Sequence, residues 1–180
     1  CGYSQKATQR CDKCDGAMKQ VGTGTAERAC VQPALSKAEK TGAPAASIEL
    51  PDGRVVTGKT SDLLGASAAA ILNALKAMAG LDDDVYLISP EVIEPIQDLK
   101  TKNLGNHNPR LHIDETLIAL AISATTNETA AKAFSMLEDL RGAEAHSSVI
   151  LSQIDDATFK KLGIHLTCEP VYQTKKLYHA

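Results

Sequence analysis

The sequence lacks tryptophan and contains few aromatic residues of any kind, with two phenylalanines and four tyrosines among 180 residues. Single-stranded nucleic acids stack their bases on aromatic side chains, and proteins that bind nucleic acids usually carry an excess of basic residues. Here 19 lysines and arginines face 22 aspartates and glutamates, which gives a net charge of −3. The composition therefore predicts a protein with no nucleic acid partner.

Long apolar runs are also missing. The longest, such as 68–72, are far shorter than the roughly 20 residues that a membrane-spanning helix needs. No basic segment followed by an apolar segment resembles a secretory leader. We therefore expect no membrane span and a cytoplasmic location. The length suits one hydrophobic core with an appendage better than two cores.

Four of the five cysteines lie near the start of the chain, at Cys1, Cys11, Cys14 and Cys30. The two-residue gap between Cys11 and Cys14 is typical of a zinc-binding pair, and also of a redox pair. A zinc ribbon usually supplies a second pair with this spacing, which the chain lacks. Plain reduced thiols are the simplest interpretation, with zinc and redox chemistry as alternatives. We predict no metal site and no cofactor.

Two regions differ in composition. Residues 1–47 are polar and interrupted by glycine and proline, which predicts an N-terminal arm or linker, the remnant of a preceding domain. Residues 48–180 show the periodicity of a compact domain. Alternation over 46–58 predicts a hairpin, and helical spacing predicts a helix from Thr60 or Ser61 to Ala79. Further helices are predicted to begin at Ser89, with a restart or kink at Pro95, and at Asp114, Asn127 and Asp155; further strands are predicted at 85–88, 145–151 and 164–169.

This order of elements predicts an α/β domain in three layers, with a mixed sheet and helices on both of its faces. A hairpin that leads into a helix, followed by alternating strands and helices, resembles the cytidine deaminase-like fold. The zinc signature of that fold, His-x-Glu followed by Pro-Cys-x-x-Cys, is absent from this sequence. We therefore do not expect deaminase chemistry.

The segment 53–60, Gly-Arg-Val-Val-Thr-Gly-Lys-Thr, has the spelling of a phosphate-binding P-loop. Its middle residues are β-branched and favour a strand over a flexible loop. A weaker interpretation remains, in which Lys59 and Ser61 bind an anion at the N-terminus of the helix that follows. Simple capping of that helix is the alternative.

The connector 100–115 carries the densest group of side chains that can bind an anion or move a proton. Arg110 can bind a carboxylate or phosphate, and Asn106 and Asn108 can orient it. His112 can transfer a proton near neutral pH, alone or paired with Glu115 three residues later. The alternative is a solvated turn that begins the next helix.

His146 lies at the start of a predicted strand, and Glu169 lies at the end of the last one. We expect His146 to be a second proton-transfer residue and Glu169 to face the same cleft. The alternative for His146 is an ordinary histidine at the end of a strand. Cys168 is most simply a buried thiol.

Several long stretches of the sequence resemble the C-terminal region of a bacterial family known as domain of unknown function eighteen forty-six. They are Ile-Glu-Leu-Pro-Asp-Gly-Arg-Val-Val-Thr-Gly-Lys at 48–59, Ile-Glu-Pro-Ile-Gln-Asp-Leu-Lys at 93–100, Asn-Pro-Arg-Leu-His at 108–112, Ala-His-Ser-Ser-Val-Ile-Leu-Ser at 145–152, and Leu-Gly-Ile-His-Leu-Thr-Cys-Glu-Pro at 162–170. The resemblance covers about three quarters of the chain and is weaker over residues 1–47. It implies that the chain is part of a longer protein with an additional N-terminal portion, and it transfers no activity.

Two functional hypotheses follow. In the first, the domain binds or transforms a small anionic metabolite: Lys59, Ser61, Asn106, Asn108, Arg110 and Glu169 bind it, and His112 or His146 transfers a proton. In the second, it is a non-catalytic domain that regulates the N-terminal portion or forms a homo-oligomer. Its basis is the Ala-rich helix from Ser61 to Ala79, which could pack against a partner helix.

Overall fold

The computed structural model describes residues 27–173. Its α-helices are α1 (Val31–Thr41), α2 (Ala66–Met78), α3 (Pro90–Asp98), α4 (Ile113–Ser123), α5 (Glu128–Ser135) and α6 (Gln153–Leu162). Its strands are β1 (Ala45–Glu49), β2 (Val55–Lys59), β3 (Glu144–Ser147) and β4 (His165–Cys168). A π-helical segment, Leu99–Asn103, continues α3, and a 3₁₀ turn, Leu137–Leu140, follows α5. Each helix in the described range is too short or too polar to cross a membrane.

The four strands form a mixed sheet in the order β2-β1-β3-β4. Strand β1 is antiparallel to both β2 and β3, whereas β3 and β4 are parallel and are joined through α6. The predicted hairpin is confirmed, with Ile48 opposite Val56 across the turn at Pro51–Gly53. The segment that spells a P-loop is therefore the second strand of a hairpin, as its β-branched residues predict.

Helices pack against both sides of the sheet. Gly58 pairs with Ala46 and lies against the backbone of α2, which places α2 on the side of these two residues. Ser47 points to the opposite side, where its hydroxyl donates to the carbonyl of Cys30, directly before α1. Alternate residues of β1 are thus buried on opposite sides. The resemblance to the cytidine deaminase-like fold stays a prediction.

The described part of the predicted arm, 27–47, belongs to this packing. Val31 and Ala34 of α1 are buried, and Arg28 pairs with Glu144 of β3. These contacts mean that residues 27–47 are not a free linker. Division of the chain at residue 47 stays a prediction.

The predicted strand at 85–88 is wrong. These residues form a loop, although Leu87 and Ile88 are buried and Tyr86 is exposed. A short apolar run indicates burial, but it does not indicate pairing with another strand. Leu87 and Ile88 are buried because they pack into the hydrophobic core from a loop.

Some helix boundaries also differ from the predictions. Helix α2 begins at Ala66, after Gly65, because the Ser61 hydroxyl accepts the amides of Leu63 and Leu64 in a separate turn. Helix α6 is capped by the Ser152 hydroxyl, which accepts the Asp155 amide, so Asp155 is not the cap.

Two further helix predictions had different outcomes. The Asn127 side chain accepts the amides of Thr129 and Ala130, which confirms it as the cap of α5. The predicted restart at Pro95 is wrong, because α3 runs through it to Asp98, and the predicted kink stays a prediction. A proline at this position removes a single bond, to the carbonyl of Glu91.

We expect Gly58→Ala to destabilise the domain by about 3 kcal/mol, because a Cβ there would overlap the backbone of α2. The added carbon would lie 2.6 Å from the carbonyl carbon of Ala69. Gly65→Ala is a suitable control, since its Cβ would have its nearest neighbour at 3.6 Å and should cost about 1 kcal/mol or less. Urea unfolding measures both, and equal losses would contradict close packing of α2 on β2.

Candidate functional site

A small cavity lies where the chain leaves β3 and α2 begins. Its lining includes Gly65–Ser67 at the start of α2, Asn108 and Arg110–His112 from the connector, and Val149–Ser152 after β3. Its volume is about 30 Å³. A buried water needs about 10–15 Å³ on the same measure, so the cavity suits a small polar head group.

The N-terminus of α2 contributes hydrogen-bond donors to this cavity. Gly65 is the N-cap residue and provides no side chain, and the amides of Ala66, Ser67 and Ala68 have no acceptor among the described residues. The Ser67 hydroxyl is also without a partner within 27–173, although the residue is only 2% exposed. Free amides and the helix dipole together favour an anion at such a position.

Backbone hydrogen bonds hold the connector against this helix end. The Leu111 amide donates to the carbonyl of Leu63 at 3.0 Å, and the Gly65 amide donates to the carbonyl of Leu111 at 3.1 Å. Arg110 Nε donates to the carbonyl of Ser61 at 2.6 Å. The two terminal nitrogens of Arg110 have no acceptor in the described part of the chain, so they remain able to bind a ligand.

A partly buried ion pair between Lys100 and Glu115 holds the connector in place. Lys100 is 4% exposed, and its Nζ donates to the carbonyl of Arg110 and to Glu115 Oε2, both at 2.6 Å. The same oxygen of Glu115 accepts the backbone amide of His112 at 2.8 Å. The predicted pairing of Glu115 with the His112 ring is therefore wrong, because Lys100 and the capping interaction engage this carboxylate.

The ring of His112 contacts a different carboxylate. Its Nδ1 lies 3.0 Å from Asp155 Oδ2, and the Ser152 hydroxyl donates to the same oxygen at 3.0 Å. The other oxygen, Oδ1, accepts the Ile113 amide at 2.9 Å. Asp155 thereby joins the first turn of α6 to the first turn of α4, and His112 Nε2 has no partner among residues 27–173.

This environment shifts the pKa of both groups in the direction that favours an ion pair. The hydrogen bond that His112 donates to Asp155, assisted by the charge of that carboxylate, raises the pKa of His112 above its ordinary 6.5, against burial. Burial acts to raise the pKa of Asp155, but the interactions with His112, Ile113 and Ser152 outweigh it and hold that pKa below 3.8. The two shifts agree, and they indicate imidazolium beside carboxylate.

The structure brings together three of the predicted site residues. Asn108, Arg110 and His112 all line the cavity, and Asn108 Oδ1 accepts the Arg110 amide at 3.2 Å. Lys59 and Asn106, both within the described range, are exposed and do not line it.

Ser61 does not line the cavity with its side chain, because its hydroxyl caps the turn before α2. The expectation that Lys59 and Ser61 would flank a helix N-terminus depended on a helix start five residues too early.

His146 and Glu169 form a separate pair. His146 shares the sheet face of Ser47, its Nδ1 lies 2.8 Å from Thr167 Oγ1, and its Nε2 lies 3.2 Å from Glu169 Oε1 without an aligned hydrogen bond. Burial lowers the pKa of His146, against the opposing charge of Glu169. Neither residue lines the cavity, so they do not join His112 in one site.

Three cavity residues were missed at the level of sequence. Asp155 was interpreted as a helix cap, Ser152 lies between the predicted strand 145–151 and that cap, and Ser67 was one small residue in an Ala-rich helix. The start Ser152-Gln-Ile-Asp155 has the spacing of an N-cap followed by an acidic residue at the third helical position. That spacing would have placed Ser152 as the cap and left Asp155 free for another role.

A second cavity, of about 170 Å³, lies between α2 and the loop 85–88 and is lined mainly by apolar side chains. Its polar groups are engaged, because Lys76 Nζ donates to the carbonyl of Asp83 and Asn73 Nδ2 donates to the carbonyl of Thr57. Unlike the cavity at the N-terminus of α2, this second cavity offers a ligand few groups for hydrogen bonding.

The described residues contain no group of three or more His, Cys, Asp or Glu side chains that could hold a metal ion. Cys1, Cys11 and Cys14 lie outside the described residues. Cys30 is buried, and this burial raises the pKa of its thiol. Cys168 was predicted to be a buried thiol, but it is only partly buried.

Residues 26–178 match the family model described as domain of unknown function DUF1846, C-terminal. The chain is similar to a UPF0371 protein of Corynebacterium glutamicum (strain R), with 55% identity over 161 residues that cover 89% of this chain and 32% of that protein. A UPF0371 protein of Streptococcus thermophilus (strain ATCC BAA-250 / LMG 18311) is 52% identical over 161 residues, which cover 89% of this chain and 33% of that protein. The chain spans about a third of the length of these curated relatives.

We expect His112 and His146 to affect stability with opposite pH dependence. The raised pKa of His112 gives a contribution that is fully present below 6.5 and is lost as pH rises through the folded value. The lowered pKa of His146 gives a contribution that is present above 6.5 and is lost as pH falls toward the folded value. His112→Gln should therefore cost more at acidic pH, and His146→Gln more at alkaline pH.

Thermal unfolding from about pH 5 to about pH 8.5 measures this difference. The exposed His165 provides the control variant, His165→Gln. Parallel pH profiles for His112→Gln and His146→Gln would contradict the assignment.

Proposed function

The chain belongs to the family described as domain of unknown function DUF1846, C-terminal, and we propose that this domain binds a small anionic metabolite in the cavity at the N-terminus of α2. The observation that carries the proposal is the buried hydroxyl of Ser67, which has no partner within residues 27–173, lies beside helix amides that are equally free there, and lines the same cavity as Arg110. A phosphate or carboxylate group on the metabolite would accept hydrogen bonds from all of them.

Charge supports the same conclusion. Arg110 is anchored through Nε and its amide, which leaves its terminal nitrogens to pair with an anion. Asp155 also lines the cavity, but both of its oxygens accept hydrogen bonds within the protein. The imidazolium of His112 offsets the charge of Asp155, so Arg110 and the N-terminus of α2 favour an anion in the cavity.

His112 is the residue that we propose for proton transfer. Its Nδ1 is fixed by Asp155, so Nε2 is the nitrogen left to exchange a proton with a ligand. His146 and Glu169 are not part of this site, because neither residue lines the cavity. Lys59, Ser61 and Asn106 are left out because they do not line the cavity.

The cavity accommodates the charged head group of a metabolite and little more. We propose that the remainder of the ligand contacts the portion of the longer protein that this chain does not include, since the chain spans about a third of its relatives. Any activity of the whole protein would then require both parts. The cytoplasmic location also remains a prediction.

We expect Arg110→Ala to abolish stabilisation of the intact protein by phosphate- or carboxylate-bearing metabolites in a thermal-shift screen. At a ligand concentration of about 100 Kd, binding adds about 2.7 kcal/mol to the free energy of unfolding, which is a readily measured shift in Tm. Arg54→Ala is the matched control, because Arg54 lies in the exposed hairpin and pairs with Asp52. Unchanged stabilisation of Arg110→Ala by a ligand that stabilises the native protein would remove Arg110 from the site.

A second candidate function is regulation or oligomerisation, and one observation favours it. Ile118 and Ile122 lie one turn apart on α4 and are 61% and 59% exposed. The Ala-rich helix is not the partner surface that the sequence suggested, because α2 is buried against the protein's own sheet. We propose that the exposed isoleucines of α4 contact the N-terminal portion or a second copy of the chain.

We expect Ile118→Glu to weaken that association, because it places a charge on an apolar contact surface. Sedimentation velocity of the intact protein measures the oligomeric state, and limited proteolysis measures release of the N-terminal portion. Ile154→Glu changes an exposed isoleucine on α6 and serves as the control. If Ile118→Glu and Ile154→Glu behave like the native protein in both measurements, α4 is not the contact surface.

A further inference from the structure

The cavity at α2 contains more donors than a carboxylate requires. The terminal nitrogens of Arg110, the hydroxyl of Ser67, the free amides at the start of α2 and Nε2 of His112 are without protein acceptors in the described range. A planar carboxylate accepts through two oxygens, whereas a phosphoryl group presents three strongly accepting oxygens in a tetrahedral arrangement. The number of donors thus favours the phosphoryl group.

We propose that the cavity selects the terminal phosphoryl group of a metabolite, a doubly charged tetrahedral oxyanion, and that it binds this group together with a proton held on His112 by Asp155. This inference rests on the proposed function, since it names the class of anion for the same cavity. Asp155 is a positioning residue here, because it acts through His112 and its own oxygens are occupied.

The geometry around Asp155 makes this arrangement rigid. The carboxylate accepts from the His112 ring, from the Ser152 hydroxyl and from the Ile113 amide at 2.9–3.0 Å, and all three partners are N-cap or first-turn residues of helices. Helix N-termini stabilise a carboxylate in its charged form. A fixed negative charge on one side of His112 therefore favours a proton on the ring, whose other nitrogen is available to the ligand.

The positive and negative charges of the other groups around His112 nearly cancel. Glu115 lies on α4 and Lys100 on the π-helical segment, and these two form an ion pair with each other. Arg110 lines the same cavity and disfavours a second cation, but a bound dianion compensates this repulsion. Because the raised pKa of His112 already indicates that Asp155 dominates, ligand binding should raise it further and take up a proton.

Sulfate is the appropriate probe, because it is a tetrahedral dianion that does not titrate near neutral pH. Isothermal titration calorimetry of the intact protein with sulfate, in two buffers of different ionisation enthalpy, measures both the Kd and the number of protons taken up. Above the pKa of His112 we expect uptake of about one proton per sulfate and a Kd that rises about tenfold per pH unit. Acetate, a planar monoanion, should bind at least about tenfold more weakly than sulfate at pH about 6.

Two variants test the roles of the side chains. His112→Gln should bind sulfate without proton uptake and with a Kd that no longer depends on pH. Asp155→Asn should move the pH dependence to lower pH while sulfate still binds below that range. Asp156→Asn is the matched control, because Asp156 is the neighbouring carboxylate and pairs with Lys160 on the exposed side of α6. It should reproduce the native pH profile.

The outcomes separate this inference from the proposed function. If neither sulfate nor acetate binds, or if Arg110→Ala binds as well as the native protein, both proposals fail. If an anion binds through Arg110 but without proton uptake, or if acetate binds as tightly as sulfate, only the present inference is overturned. Should Asp155→Asn fail to fold, proton uptake by the native protein and its loss in His112→Gln decide the question.

Discussion

One buried carboxylate organises the candidate site. Asp155 lies in the first turn of α6. Its carboxylate accepts hydrogen bonds from the ring of His112 and from the first amide of α4. Without it, the connector that precedes α4 would retain its backbone hydrogen bonds, the Lys100–Glu115 pair and the hydrogen bond from Arg110 Nε to the carbonyl of Ser61. Removal of one partner from a buried ion pair typically costs about 3–5 kcal/mol, because the other charge remains buried and unpaired. The position of His112 at the cavity thus depends on a residue 43 positions further along the chain.

The sequence predicted local structure better than it predicted the contacts that form the site. The hairpin, the α5 cap at Asn127 and the mixed sheet followed from turn chemistry, periodicity and the order of elements. The loop at 85–88 was taken for a strand because burial and pairing produce the same short apolar run. Asn108, Arg110 and His112 were predicted together because they are neighbours in sequence, and the structure brings them to one cavity. Lys59 and His146 could belong to the same predicted site only if the fold brought them close to Arg110 and His112. No local sequence pattern can establish that proximity.

His112 and His146 show why residue type alone does not identify a site. Both rings contact a carboxylate, but Asp155 is buried and saturated with hydrogen bonds, whereas Glu169 is 37% exposed and poorly aligned with its histidine. Desolvation therefore dominates at His146 and lowers its pKa, while the paired charge dominates at His112 and raises its pKa. A histidine that stays neutral within the sheet suits a structural role, and one that holds a proton beside a cavity suits anion binding.

The hydroxyl of Ser67 provides an energetic argument for a ligand at this cavity. A buried polar group without a partner costs about 1–3 kcal/mol, and alanine at position 67 would fit the Ala-rich α2 without that cost. Thr116 and Ser123 are also buried without a partner in the described residues, but they lie on α4 and do not line the cavity. Ser67 differs from them because free amides of α2 and the guanidinium of Arg110 border the same space. An anion in that space would satisfy all three kinds of donor at once, and this is the simplest physical reason for a serine at this position.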